Sequence, residues 1–509
     1  MRFRLASLCR LLLVLTFCLM TAATARAELR LPHMLSSHAV LQRGRPIHVW
    51  GWSDADETVT VKFHGQTQRA TANRYGQWEL WLQAEKAGGP YEMTVSGSRG
   101  EAPIVLNDLL VGDVWFASGQ SNMQIPLIGF PGSAVIKNAK EEIAQANHPQ
   151  IRLLFVPLKS SPYPLDDQSG TWTQCTPETA RTFSAVAYFF ARDLQRHLHV
   201  PIGIVDATWG GTPIESWMSL KSLASDAGFM PVFMKRAEFA AQQTNLKTIV
   251  AQEKAEDAKA VAAGKPKPEH PWHPDQQSWN PSYLYNAMIA PETPYTIRGF
   301  LWYQGETNSD DAWVPSLYQR LFSAMIEDWR TRWHEGTLPF LYVQISSFYS
   351  PQEHWGEIRN AQRLTLALRN TGMAVSLDKG LRNNIHPPDK QTVSHRLALA
   401  AYHLAYGEDG TWEGPLFEQV TREGDALRVF FSFTKGLHAE GDAVRSFEVE
   451  SADRRWHAAH ATLDGDTVLV RADGVSAPMA VRYGWASYTD ANLYNGAGLP
   501  ASTFEAQVP

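Results

Sequence analysis

Between residues 108 and 410, short apolar runs alternate with stretches of helical period, and few architectures accept that pattern. The apolar runs lie at 113–117, 202–207, 297–303, 340–345 and 373–377. Between them, Val186, Phe189, Phe190, Leu194 and Leu198 fall on one helical face. Tyr318, Leu321, Phe322, Met325, Ile326, Trp329 and Trp333 fall on another, and Val393, Leu397, Ala401 and Leu404 repeat the spacing after the last run. Strands alternating with helices predict an α/β class with a parallel, doubly wound sheet.

Both flanks read differently. Residues 28–107 carry near-alternating runs at 47–50, 58–63, 78–82 and 91–95, separated by turn signals such as Asn73-Arg74-Tyr75-Gly76 and Gly88-Gly89-Pro90. Short strands at that spacing predict a small β-sandwich. From 411 to 509 the runs 427–431, 446–449 and 467–470 predict a second β-rich module. Two long connections interrupt the α/β alternation, at about 124–185 and 221–280. The first holds one further strand candidate, 151–156. The second begins as a charged, Ala-rich helix over 233–263 and then turns Pro-rich. His270 and His273 stand in that Pro-rich loop, where a solvated reading is preferred to a metal site.

The first 27 residues have a basic head at Arg2, Arg4 and Arg10, an apolar stretch from Leu11 to Met20 and an Ala25-Arg26-Ala27 exit, the pattern of a secretory signal peptide. The apolar stretch is well short of the ~20 residues that a spanning helix needs. The expected destination is the periplasm or the exterior. Cleavage takes four arginines and no acids, so the formal charge goes from −6 to −10. An acidic chain without a basic stripe is a poor partner for nucleic acid or an anionic membrane. Cys9 and Cys18 leave with the signal, so Cys175 stands alone and neither an intrachain disulfide nor a cysteine zinc site is available. No pattern sets an oligomeric state. The 18 tryptophans are many; most belong in a core, but Trp and Tyr also form the stacking faces of sugar sites.

Chemistry concentrates where apolar runs end. Val114-Trp115-Phe116-Ala117 breaks into Ser118-Gly119-Gln120-Ser121-Asn122, which would carry Ser121 on a bend at the carboxyl end of a strand. A serine hydroxyl needs a base within hydrogen-bond reach. The best candidate is His386, in a loop stiffened by Pro387 and Pro388; His395 and His403 fall inside the following helix. Acyl transfer also needs donors for an oxyanion. Ser121 can offer its own N–H, Trp209-Gly210-Gly211-Thr212 follows the next run, and Gln304 or Asn308 can offer amide hydrogens after the third.

Five ordered stretches add specificity: Gly-Gln-Ser-Asn-Met at 119–123, Trp-Gly-Gly-Thr-Pro-Ile-Glu-Ser-Trp at 209–217, Leu-Tyr-Asn-Ala-Met-Ile at 284–289, Trp-Tyr-Gln-Gly-Glu-Thr-Asn at 302–308 and Ile-His-Pro-Pro-Asp-Lys at 385–390. Together they resemble the sialate O-acetylesterase family, a branch of the SGNH hydrolases. The resemblance extends over nearly the whole mature chain, from Val-Leu-Gln-Arg at 40–43 to Asn-Leu-Tyr-Asn-Gly-Ala-Gly-Leu-Pro at 492–500. It implies an SGNH-hydrolase-like three-layer core with a parallel sheet, flanking β-sandwich-like modules, no metal and no cofactor. It implies Ser121 as nucleophile and His386 as base, with an oxyanion hole from Ser121 N–H, Gly211 and Gln304, while Glu306 orders its loop.

One departure stands out. Many SGNH hydrolases carry an aspartate three residues before the histidine, where this chain has Asn383. Asp378 is the chosen orienter of His386, with a backbone carbonyl or Asn383 as alternatives; Asp389 could equally cap the final helix. The resulting expectation is an exported carbohydrate O-acetylesterase acting through a serine acyl-enzyme, on plant cell-wall oligosaccharides such as xyloglucan or xylan. A sialic acid 9-O-acetylesterase is the alternative substrate reading, and a catalytically inactive carbohydrate-binding protein the alternative of a different class.

Overall fold

The computed structural model describes residues 28–268, 270–271, 273–310 and 313–509. The expected signal peptide lies outside them. Thirteen strands lead up to and build the central layer: β1 (Val40–Gln42), β2 (Ile47–Trp52), β3 (Thr58–Phe63), β4 (Gln66–Thr71), β5 (Gln77–Leu82), β6 (Gly88–Gly97), β7 (Ile104–Gly119), β8 (His148–Phe155), β9 (Trp172–Cys175), β10 (Ile202–Thr208), β11 (Gly299–Tyr303), β12 (Phe340–Gln344) and β13 (Thr371–Val375). The central order is β13-β12-β11-β7-β10-β8-β9. Every pair is parallel except β8–β9. The antiparallel edge strand β9 was not read from the sequence; its four residues are too few to show a period.

β7 organises the molecule. Its first half pairs with β6 antiparallel, and from Asp113 onward it pairs with β10 on one side and β11 on the other. The strand therefore runs unbroken across residue 107, and the amino-terminal strands share one continuous core with the central sheet. Gln42 Nε2 and Arg43 Nε, each 3.0 Å from the buried Asp113 Oδ1, tie the two parts together at the point where β7 changes partners.

Alternation along β7 sends successive side chains to opposite faces. Trp115 packs on Phe190 of the helix Ala185–Leu198 and donates to Tyr406 Oη of the helix Lys390–Tyr406. Phe116 instead meets Trp329 and Trp333 of the helix Tyr318–Trp333. Helices thus cover both faces of the sheet. Ring pairs of this edge-to-face kind each add about 0.5–1.5 kcal/mol beyond area burial. The helix expected over 233–263 is two helices, Met230–Gln242 and Leu246–Ala262, interrupted at Gln243-Thr244-Asn245. His270 and His273 pair with Asp257 and Glu253 on the second of them.

Past residue 411, two four-stranded antiparallel sheets enclose a separate core that includes Val429, Val468, Phe447 and Phe504. Among the described residues no helix is long and apolar enough to cross a membrane.

Candidate active site

The reactive edge lies where β7, β10 and β11 end, between the two directions in which the sheet is wound, the usual ligand crevice of open α/β sheets. Gly119 closes β7 with φ +135°; a Cβ there would lie 2.2 Å from the Tyr303 carbonyl oxygen. Only glycine lets β7 end this close to β11. Gln120 stays extended, its N–H donating to Tyr303 O at 3.0 Å and its side-chain oxygen accepting from Thr307 N at 3.2 Å. The chain then turns into the short helix Ser121–Gln124, which leaves Ser121 half-buried at the crevice.

His386 reaches the same point from the loop before the helix Lys390–Tyr406. Its N–H donates to Asn384 Oδ1 at 2.8 Å, and Asp389 caps the helix behind it by accepting from Thr392 N. Its Nε2 lies 2.9 Å from Ser121 Oγ, across 265 residues of chain. The Phe130 ring stands edge-on at 5.9 Å. Burial, and next the Lys390 charge, push the imidazole from 6.5 down to about 4. At neutral pH it is uncharged and able to accept a proton from the hydroxyl.

Under this pair lies a buried polar network. Asn122 donates to Glu306 Oε1 and to Ile385 O at 3.1 Å, and it accepts from Lys390 Nζ. Burial pushes Glu306 up and Lys390 down to about 7, and their mutual attraction opposes both shifts. Below that value Lys390 is a cation facing the His386 region. Replacing it with methionine is expected to raise the acid limb of kcat/KM by less than about one pH unit, because burial, the larger cause, stays. A pH–rate profile checks this; a Lys390 that only filled space would leave the limb where it is.

Other expected residues are placed differently. Gly210 sits against Ser121: a Cβ on it would lie 3.2 Å from Ser121 Cβ, but its N–H is engaged by Gln124 Oε1 at 2.8 Å. The next N–H in the loop belongs to Gly211, at φ +69°. Gln304 is fully buried, its amide donating to Thr212 O at 3.1 Å and Asn308 Oδ1 at 2.6 Å while its oxygen accepts from Tyr318 Oη. Asn308 is equally engaged, donating to Glu215 Oε2 at 3.0 Å and accepting from Ile214 N. Both amides lock the β11 loop to the β10 loop, so the expected oxyanion donation from Gln304 is corrected to a structural role.

Asp378 is also corrected. Its two oxygens are held by Arg396 at 2.7 and 2.8 Å and by Lys379 at 3.0 Å, and these cations keep its carboxyl below the usual range despite burial. It makes no hydrogen bond or ion pair with His386, and among the described residues no hydrogen-bond partner stands at His386 Nδ1. Asn383 is exposed. Lys390 and Asn122 were in the quoted motifs but were assigned no role, since spacing carries no sign that a lysine will be buried. Among the described residues no group of three His, Cys, Asp or Glu side chains is placed to hold a metal ion.

A cleft of about 460 Å³ lies between residues 349–357, which follow β12, and residues 485–488 of the carboxyl-terminal module, with Arg382 of the loop that carries His386 also lining it. Tyr349, Arg382, Trp485 and Tyr488 line it, with the Arg382 guanidinium 4.1 Å over the Tyr349 ring and 5.6 Å from Tyr488.

Residues 259–402 match the family described as carbohydrate esterase, sialic acid-specific acetylesterase. Sialate O-acetylesterase of Pongo abelii is 30% identical over 97% of this chain and 95% of its own length. That of Mus musculus is 31% identical over 90% and 91%. Among solved structures, a carbohydrate acetylesterase from Xanthomonas citri is 38% identical, with a TM-score of 0.80 over 94% of this chain and 99% of its own.

Proposed function

The chain belongs to the sialate O-acetylesterase family and is a carboxylic-ester hydrolase, and from that premise we propose that Ser121 and His386 act as a serine–histidine pair removing acetyl groups from sugar hydroxyls. The observation that carries the assignment is the 2.9 Å approach of His386 Nε2 to Ser121 Oγ at the carboxyl edge of the sheet. His386 takes the hydroxyl proton as Ser121 Oγ bonds to the acetyl carbon. The oxyanion forms beside the N–H groups of Ser121 and Gly211. As it collapses, the bond to the sugar oxygen breaks and His386 returns the proton to that oxygen. Water, deprotonated by the same imidazole, then releases acetate from Ser121.

The arrangement is the active centre of an SGNH-type hydrolase whose histidine has no carboxylate partner among the described residues. It occupies a catalytic unit of residues 108–410, joined through the continuous strand β7 to a β module at 28–107 and followed by another at 411–509, in a chain exported by way of residues 1–27. The substrate is an acetylated plant cell-wall oligosaccharide rather than free sialic acid. In support, the cleft that Arg382 of the His386 loop helps to line offers the partly exposed rings of Tyr349 and Tyr488, which could seat sugar units beyond the acetylated one.

Acetate release from acetylated xyloglucan and xylan oligosaccharides and from 9-O-acetyl sialic acid, measured on one enzyme preparation, decides the substrate. Higher kcat/KM on the oligosaccharides is expected, and preference for the sialic acid overturns the choice. Tyr349→Ala should raise KM for the preferred oligosaccharide roughly three- to tenfold, the value of one lost ring contact, while leaving aryl acetate hydrolysis unchanged.

A further inference from the structure

Gly210-Gly211 is the stretch beside Ser121 with the fewest restraints of its own, yet a donor to an oxyanion has to be held still. Glycine has no side chain to limit rotation, and Gly211 adopts φ +69°, a conformation that most residues avoid. The restraints come from outside the pair. Gly210 N is held by Gln124 Oε1 at 2.8 Å, and the Trp209 carbonyl accepts from Thr212 Oγ1 at 2.7 Å. The Gly211 carbonyl accepts from the indole Nε1 of Trp279. Among the described residues no hydrogen bond takes up the Gly211 N–H itself. Gln124 and Thr212 belong to the sheet edge and its own loops. Trp279 comes from the far end of the insertion at 221–280, a segment from which the serine–histidine chemistry draws no other group.

The surroundings of that indole keep it in place. Trp279 is 6% exposed. Phe239, on the helix Met230–Gln242, lies against it at 4.5 Å and 33°. Trp313, between the β11 loop and the helix Tyr318–Trp333, meets it edge-on at 5.0 Å. Polar contacts brace the same piece of chain. Arg236 Nη2 donates to Gln276 O at 2.9 Å, Gln276 Nε2 to Gln243 O at 3.0 Å, and Ser282 N to Glu215 O at 3.0 Å. An indole packed on two sides by rings loses the freedom to swing away, so its N–H fixes where the Gly211 carbonyl stands. The carbonyl and N–H of Gly211 share one Cα. Holding that carbonyl on one side and Gly210 on the other leaves the N–H between them little room to turn.

We propose that Trp279 is a positioning residue for ester cleavage: it holds the Gly211 carbonyl and so keeps the Gly211 N–H aimed at the forming oxyanion, with Phe239 acting through it. The proposal rests on the reading of Gly211 as an oxyanion donor. In this role Trp279 touches no reacting atom. Donors that need no reorganisation as charge develops are the effective ones, and losing one outright costs roughly 10²–10³ in kcat. Loosening a donor costs less than removing it.

Steady-state kinetics on an aryl acetate test the proposal. Trp279→Phe keeps a ring between Phe239 and Trp313 and removes the N–H. Its kcat should fall roughly tenfold to a hundredfold, with KM within about threefold of the wild type and the acid limb of the pH profile where the wild type has it. Phe239→Leu keeps the N–H and loosens the packing behind it. A loss of about threefold in kcat is expected, and no further loss when it is added to Trp279→Phe. A Trp279→Phe kcat within about twofold of the wild type overturns the proposal. So does a raised KM at unchanged kcat, which would make Trp279 a substrate contact. Equal losses from Phe239→Leu with and without the indole also overturn it, because independent packing defects add. Ser121→Ala, assayed alongside, separates the two levels. Near-wild-type activity there refutes the serine mechanism itself, whereas its loss beside an unaffected Trp279→Phe refutes the positioning role alone.

Discussion

Ser121→Ala is expected to lower kcat for acetate release by roughly ten thousand- to a million-fold, with KM little changed. The reason is local. In the proposed mechanism Ser121 Oγ is the attacking atom, His386 Nε2 stands 2.9 Å from it, and alanine removes the atom that would carry the acetyl group. Its N–H remains, so the proposed oxyanion contact would survive and account for what residual rate there is. Rapid-quench mass spectrometry of the wild type should find one acetyl group on the peptide holding Ser121. A variant retaining more than about a tenth of the wild-type kcat would remove Ser121 from the mechanism.

His386→Ala should cost about ten thousandfold in kcat/KM, since without a base the hydroxyl stays protonated. The pH dependence supplies the sharper reading. The proposed mechanism uses His386 as the neutral imidazole, and burial first and the Lys390 charge second push it from 6.5 down to about 4. Activity should therefore be full above that value and fall as the pH drops through about 4; a limb near 6.5 would contradict the buried environment. Asp378→Asn provides the contrast. Were Asp378 the imidazole's partner, the asparagine would cost on the order of ten thousandfold. With its oxygens on Arg396 and Lys379, the expected result is a change of less than about tenfold in kcat/KM. A lower Tm should accompany it, because a buried guanidinium loses its counter-charge.

Short-range pattern accounts for most of what could be read early. Period-2 and period-3.6 spacing are properties of neighbouring residues, so the central strands and the helices around Phe190, Trp329 and Leu397 were legible before any coordinates. The same holds for the bends that carry Ser121 and Gly211, because glycine and small polar residues mark turns by local sterics. The split in the long helix near Thr244 was not legible, since no proline or glycine marks it.

Taken alone, the sequence determined that a serine stands at a strand end, that a proline-stiffened histidine stands in a later loop, and that ordered motifs tie the two to one family. Tertiary structure decided who touches whom. Asp378 was diverted to Arg396, Gln304 was sealed between Thr212 and Tyr318, and Lys390 was drawn to Asn122 beside Ser121 instead of pointing to water. The physical reason is that a polar group's partner is chosen by competition among all donors and acceptors that folding brings near it. Burial then sets how strongly each choice counts. Neither quantity is a property of the residues adjacent in the chain.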